Sequence, residues 1–358
     1  MPRTGALWSR PAATVAPDSR RTEGGTVAGA RAYIGSFTSA GGDGVTVAAV
    51  DPATGALSVL TTTDALADPS YLALADGQLY AVSETPEAGA VGVFDVTEDV
   101  PRLLGARPVE GSGPTHLTVT AGHVLTANYG SGSVSALPLG EGAASVLSHA
   151  GSGPVAGRQE GPHAHQVVAD PSGRWMLSVD LGTDSVRICT LDGGALTVRR
   201  EAALRAGSGP RHLAFHPSGG FVYVLNELDP TLTVCSWDAD AGVLTPLREV
   251  PVLAEEPKGD AYPSAIVASP DGRFLWTATR GEDVISTFAL DGGEPVLVAV
   301  TDCGGHWPRD LAVHPSGQFL YAANERSGDV TWFRVRAADG TPERGGSVAA
   351  PAASCVVF

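Results

Sequence analysis

The segments GPRHLAFHPSGGFVYVLNE (209–227), YPSAIVASPDGRFLWTATR (262–280) and WPRDLAVHPSGQFLYAANE (307–325) align without gaps, and GPHAHQVVADPSGRWMLSVDL (161–181) aligns with two extra residues. GPTHLTVTAGHVLTANY (113–129) and DPSYLALADGQLYAVSE (68–84) are weaker copies. The leading prolines, Pro69, Pro114, Pro162, Pro210, Pro263 and Pro308, recur every 45 to 53 residues. A period in this range marks a repeat architecture, because each unit buries its apolar face only against the next.

Within a copy, an apolar strand leads into a turn and then a second strand rich in Val, Leu, Tyr and Trp, the pattern of a hairpin. In HPSG and SPDG the proline presets the first central residue of a type I turn and the glycine takes its exit. A third strand follows (SVRICTL, LTVCSW, VISTFAL, VTWFRV), then a fourth such as GALTVRREAAL or GVLTPLREV. Four antiparallel strands per repeat form the blade of an all-β propeller. AYIGSF (32–37) reads as a second strand with no first strand before it, and AAPAASCVVF (349–358) as a first strand after which the chain stops. Joined, they complete a seventh blade and remove the open edge that an unclosed array would expose. The expectation is one seven-bladed β-propeller over residues 30–358, its ring closed by pairing of N- and C-terminal strands.

The chain has 358 residues, 43% of them hydrophobic, with 23 Lys and Arg against 39 Asp and Glu for a formal charge of -16. That charge opposes binding to nucleic acid or to an anionic membrane, so neither is expected as a partner. The apolar runs fall short of the ~20 residues of a membrane-spanning helix. Residues 1–29 lack the apolar centre of a secretory signal and are read as a loose, flexible tail. Cys189, Cys235, Cys303 and Cys355 show no C-x-x-C or metal-ligand spacing, which suits a reduced, cytoplasmic protein.

Strand direction sorts the polar residues by face. Entry loops and second-strand ends share one rim, and the P-S-G turns with His216 and His314 share the other, where a structural role is expected. On the first rim the entry positions are Ser70, Thr115, His165, Arg211, Ser264 and Arg309, followed by Tyr71, His116, Gln166, His212 and Asp310. Second strands end in Glu84, Asn128, Tyr129, Asp180, Asn226, Glu227, Arg280, Asn324, Glu325 and Arg326. Asn226, Asn324, Asp180 and His116 are read as groups that close turns or bond between blades. Arg211, Arg280 and Arg309 at the mouth of one channel repel one another unless an anion is held there or Glu227, Glu325 and Asp310 pair with them. The insertion in GPHAHQ sets His163 and His165 on a bulged entry loop, where an imidazole serves as a general base or a ligand. Zinc needs three or four ligands and no usable partner is in register, so no metal and no other cofactor is expected.

The runs GPHAHQVVADPSGRWMLSVDLGTDSV, GSGPRHLAFHPSGGFVYVLNELD and WPRDLAVHPSGQFLYAANERSGDV resemble the seven-bladed propeller lactonases, a family that includes a bacterial 6-phosphogluconolactonase and the fungal carboxy-cis,cis-muconate lactonising enzyme. The resemblance spans about residues 31–358 and implies a metal-independent site on the entry-loop rim. It matches functional His, Arg, Glu and Arg residues of the lactonising member to His163 or His165, Arg211, Glu227 and Arg280. The expectation it supports is hydrolysis of a small anionic sugar lactone, 6-phospho-D-glucono-1,5-lactone. Glu227 or a histidine of the 163/165 pair would activate water, Arg211 would stabilise the oxyanion, and Arg280, Arg309 and His212 would bind substrate. No G-x-S-x-G elbow occurs, against an acyl-enzyme route. A muconate-type lactonising reaction and a non-enzymatic scaffold are the alternatives. The sequence carries no sign of oligomeric state.

Overall fold

The computed structural model describes residues 30–358; the expectation of a loose tail over 1–29 lies outside the described residues. Seven four-stranded antiparallel sheets follow one another around a ring. Blade 1 joins the C-terminal strand Ala353–Val357 to Arg31–Ser36, Val45–Val50 and Leu57–Thr63. Blades 2 to 7 run from Leu72 to Pro108, Pro114 to Ser148, Ala164 to Ala203, Pro210 to Pro251, Tyr262 to Asp302 and Pro308 to Ala349. In each, chain order is radial order, from the inner strand outward.

Closure is the expected one. Tyr33 pairs with Val357, Ile34 with Val356 and Gly35 with Cys355. The core confirms it. The buried apolar residues form seven clusters, and each straddles one interface between neighbouring blades. An open array of seven blades would have six interfaces; the seventh joins Ile34 and Val356 of blade 1 to Phe319, Tyr321 and Val330 of blade 7. Each large side chain buried there contributes about 1.5–3 kcal/mol.

Burial follows position along the blade. Second strands such as Phe274–Arg280 are buried at every residue, because other blades cover both faces. Outer strands such as Ala195–Ala203 are mostly exposed. Second-strand aromatics also latch each blade to the next outer hairpin. Tyr223 Oη donates to Gly293 O at 2.6 Å, Trp276 Nε1 to Gly340 O at 2.8 Å, and Tyr321 Oη to Gly55 O at 2.8 Å across the closure. Gly55 has φ +74° and lies against the Phe319 ring, so a side chain there would be strained and would collide.

The turns on the far face are those the sequence specifies. Gly219 N bonds His216 O and Gly317 N bonds His314 O, both at 2.8 Å, with each glycine at positive φ. His216 bridges Ser218 Oγ and Gly272 O, a structural role as expected. Asn226 Nδ2 ties Thr231 and Thr233, and Asn324 Nδ2 ties Thr331, so both asparagines bind second strand to third.

Candidate active site

One device recurs on the inner strands. In six blades the pairing with the second strand slips by a residue near the strand entrance, leaving Thr115, His165, Arg211, Ser264, Arg309 and Ser354 bulged. A bulge places an extra residue outside the ladder and re-aims its side chain. Five of these six, together with Ser70 of blade 2, wall one cavity, completed by Tyr71, Glu84, His212 and Asp310.

The charged groups form two unequal sets. Glu227 Oε2 is 3.0 Å from Arg211 Nε and 2.8 Å from Arg280 Nη2, while Glu227 Oε1 accepts from Arg158 Nη2. Arg211 Nε and Arg280 Nη2 have no aligned hydrogen bond, so these two contacts are held by charge. Three guanidiniums on one carboxylate leave two positive charges in excess. Burial opposes ionisation of Glu227, but Arg280 and Arg211 outweigh it and hold the carboxyl well below the usual range. Burial, reinforced by Arg280, lowers Arg211 to about 9. Arg309 belongs to the other set: its Nη1 lies 2.9 Å from Glu325 Oε2, and Glu84 and Glu325 together outweigh its desolvation. Its charge is already matched.

The imidazoles lie beside these charges. His165 and His212 have ring centroids 5.2 Å apart, His116 and His212 5.6 Å, and Tyr71 covers His116 at 4.2 Å. His116 Nδ1, His165 Nδ1 and His212 Nε2 are buried with no partner. Burial and then Arg211 depress all three: His116 falls to about 3, and His165 and His212 sit well below their ordinary value. All are neutral at pH 7. Among the described residues no group of three or more His, Cys, Asp or Glu is arranged to hold a metal ion.

The geometry separates His165 from His163. His165 lines the cavity; His163 is half-buried, stacks on Tyr129 at 4.4 Å and bonds Tyr129 O through Nδ1 at 2.9 Å. Its backbone N–H donates to Asp180 Oδ1, which also accepts from Gly182 and Thr183. Asp180 Oδ2 takes His149 at 2.6 Å and Arg187 at 3.2 Å, so Asp180 anchors the inserted loop, matching its reading as a turn-closing residue.

Of the expected residues, the cavity wall gathers His165, Arg211, His212 and Arg309, and ion pairs attach Glu227 and Arg280 to it through Arg211. Sequence reasoning missed Arg158 and Ser354. Arg158 lies in GSGPVAGRQE (151–160) between blades 3 and 4, a stretch outside the repeat, and Gln159 anchors it through Leu181 O and Asp184 Oδ1. Its only signal was a basic residue in a long connection on the functional rim.

The family model described as lactonase, 7-bladed beta-propeller, matches residues 31–358. The 6-phosphogluconolactonase of Bacillus subtilis (strain 168) is 32% identical over 314 residues, covering 84% of this chain and 90% of that protein. A crystal structure of a putative 6-phosphogluconolactonase from Bacteroides fragilis superposes with TM-score 0.86 at 27% identity, over 96% of this chain and 99% of that one. The periplasmic gluconolactonase of Pseudomonas aeruginosa superposes with TM-score 0.84 at 26% identity, over 92% and 98%.

Proposed function

The chain belongs to the seven-bladed β-propeller lactonase family, and from that premise we propose that it hydrolyses 6-phospho-D-glucono-1,5-lactone to 6-phosphogluconate. The observation that carries this reading is the excess of two guanidinium charges around Glu227, beside a cavity walled by neutral imidazoles and hydroxyls. A phosphate monoester carries about two negative charges at neutral pH and takes forked contacts from arginine. The ring hydroxyls of a sugar lactone match His212, Ser70, Thr115 and Ser354, which donate or accept without a charge.

In this mechanism His165, neutral and unpartnered, takes a proton from water as its oxygen attacks the lactone carbonyl. Arg211 stabilises the oxyanion; Nη1 donates to Ser264 O and Nε faces Glu227, and no described residue occupies Nη2. Glu227, bound to Arg158, Arg211 and Arg280, acts as the anchor that holds Arg211 and Arg280 in place. Arg280 and Arg158 receive the phosphate, and Arg309, matched by Glu325, shapes the wall. The bond to the ring oxygen then breaks to give the hydroxy acid.

A muconate-type lactonisation uses a substrate without hydroxyls, for which the polar wall has no evident use. Four buried, unpaired thiols support a reducing, cytoplasmic setting. The test is a coupled assay on freshly generated 6-phosphogluconolactone, corrected for spontaneous opening, with carboxymuconate as the comparison. Turnover of the lactone alone, indifferent to chelator, supports the proposal; turnover of carboxymuconate alone overturns it.

A further inference from the structure

Resting on the hydrolytic reading above, we propose that Asp310 is a second catalytic residue, the acid that protonates the ring oxygen as it leaves, from the wall of the cavity opposite His165. His165 is on blade 4 and Asp310 on blade 7, three steps apart in a ring of seven, the largest separation the ring allows. Arg211, on blade 5, stands between them in sequence around the wall, and all three line one cavity. The site thus offers a base, a cation for the oxyanion and a carboxyl on the far side.

Of the carboxyls near this cavity, Glu84 accepts from Ser70 and faces the charge of Arg309, while Glu227 and Asp310 have opposite surroundings. Glu227 is gripped by three guanidiniums, whereas Asp310 forms no ion pair with any described residue. The backbone N–H groups of Leu311 and Val356 favour the ionised form of Asp310. The titratable groups that face it are Tyr71 ahead of the blade 2 inner strand, Cys355 of the C-terminal strand and Arg211 of blade 5. Burial prevails over Arg211 and the two N–H groups and raises its carboxyl to about 7. Two carboxyls driven apart in this way divide into a permanent anion and an acid that holds its proton near neutral pH.

The step balances without a co-reactant. As the tetrahedral adduct collapses, the bond from the carbonyl carbon to the ring oxygen breaks, its electron pair stays on oxygen, and the Asp310 proton moves to that oxygen. His165 releases to solvent the proton taken from water, and Asp310 is reprotonated from solvent.

The test is kcat/KM on 6-phosphogluconolactone against pH for wild type, Asp310→Asn and Asp310→Glu, with spontaneous opening subtracted and folding checked by thermal melting. Wild type should lose activity as pH rises through about 7. Asp310→Asn should lose about 100-fold at the acidic end and lack that limb, and Asp310→Glu should restore it. An active wild type without the limb, or Asp310→Asn with unchanged rate and limb, overturns the role of Asp310 and leaves hydrolysis standing. A wild type inert toward lactones defeats hydrolysis and Asp310 together. If Asp310→Asn does not fold, the wild-type limb and Asp310→Glu decide.

Discussion

Glu227 Oε2 stands 3.0 Å from Arg211 Nε, two buried groups on one blade whose contact sets the charge of the whole site. Arg280 shares the same oxygen from blade 6, and Arg158 holds the other from the connection between blades 3 and 4. One carboxylate therefore organises three cations drawn from three parts of the ring, and two positive charges are left over.

Glu227→Gln removes the anchor and leaves the guanidiniums to repel one another in a buried site. Loss of one partner from such a group costs about 3–5 kcal/mol. Thermal melting at pH 7 should show a marked fall, partly reversed by millimolar inorganic phosphate, which binds the folded state. The folded carboxyl is depressed, so the contribution is complete above the ordinary Glu value of about 4.3 and is lost as pH falls below it. A melting point equal to wild type at pH 7 would contradict this account of the cluster.

Arg211→Ala should lower kcat by about 100-fold or more with a smaller change in KM, since its contact strengthens as the oxyanion forms. Steady-state kinetics on 6-phosphogluconolactone checks it. Arg211→Lys should recover only part of the loss, because an ammonium cannot reach Ser264 O, Glu227 and the oxyanion together.

Arg158→Ala acts on binding. The side chain is half-buried and on a connecting segment, so stability should change by no more than about 1 kcal/mol. KM for the phosphorylated lactone should rise about tenfold with kcat nearly kept. An unchanged KM would remove Arg158 from the anion site.

Ring closure depends on five residues at the C-terminus. Truncation after Pro351 deletes the inner strand of blade 1 and exposes Tyr33, Ile34 and Gly35 as an unpaired edge. The truncated chain should aggregate or elute as oligomers in size exclusion. Tyr321→Phe, which removes only the hydrogen bond to Gly55, should cost about 1 kcal/mol and leave the elution profile of the wild type unchanged.

The ring itself was legible because its signals are local: a proline, a P-S-G turn and strands of period two repeat in register, and the two incomplete ends add to one blade. Asn226 and Asn324 were legible for the same reason, each bonding threonines within its own blade. The site was legible only in part, because the bulge does not keep a constant distance from the proline. It falls one residue after Pro210 and Pro308 but three after Pro162 and Pro351, so spacing from Pro351 leads to Ala352 where the cavity receives Ser354. Arg158 belongs to no repeat and had no register to reveal it. Which arginines are matched by acids depends on contacts between blades, and those exist only once the ring has closed.

The most direct test compares kcat/KM of the wild type on 6-phospho-D-glucono-1,5-lactone and on unphosphorylated D-glucono-1,5-lactone, then repeats the ratio for Arg280→Ala. The account predicts a preference of about 100-fold for the phosphorylated lactone, as two charge-assisted contacts supply, and a fall in that ratio to about tenfold or less in the variant. Equal rates on the two lactones in the wild type, or a ratio untouched by Arg280→Ala, would contradict it.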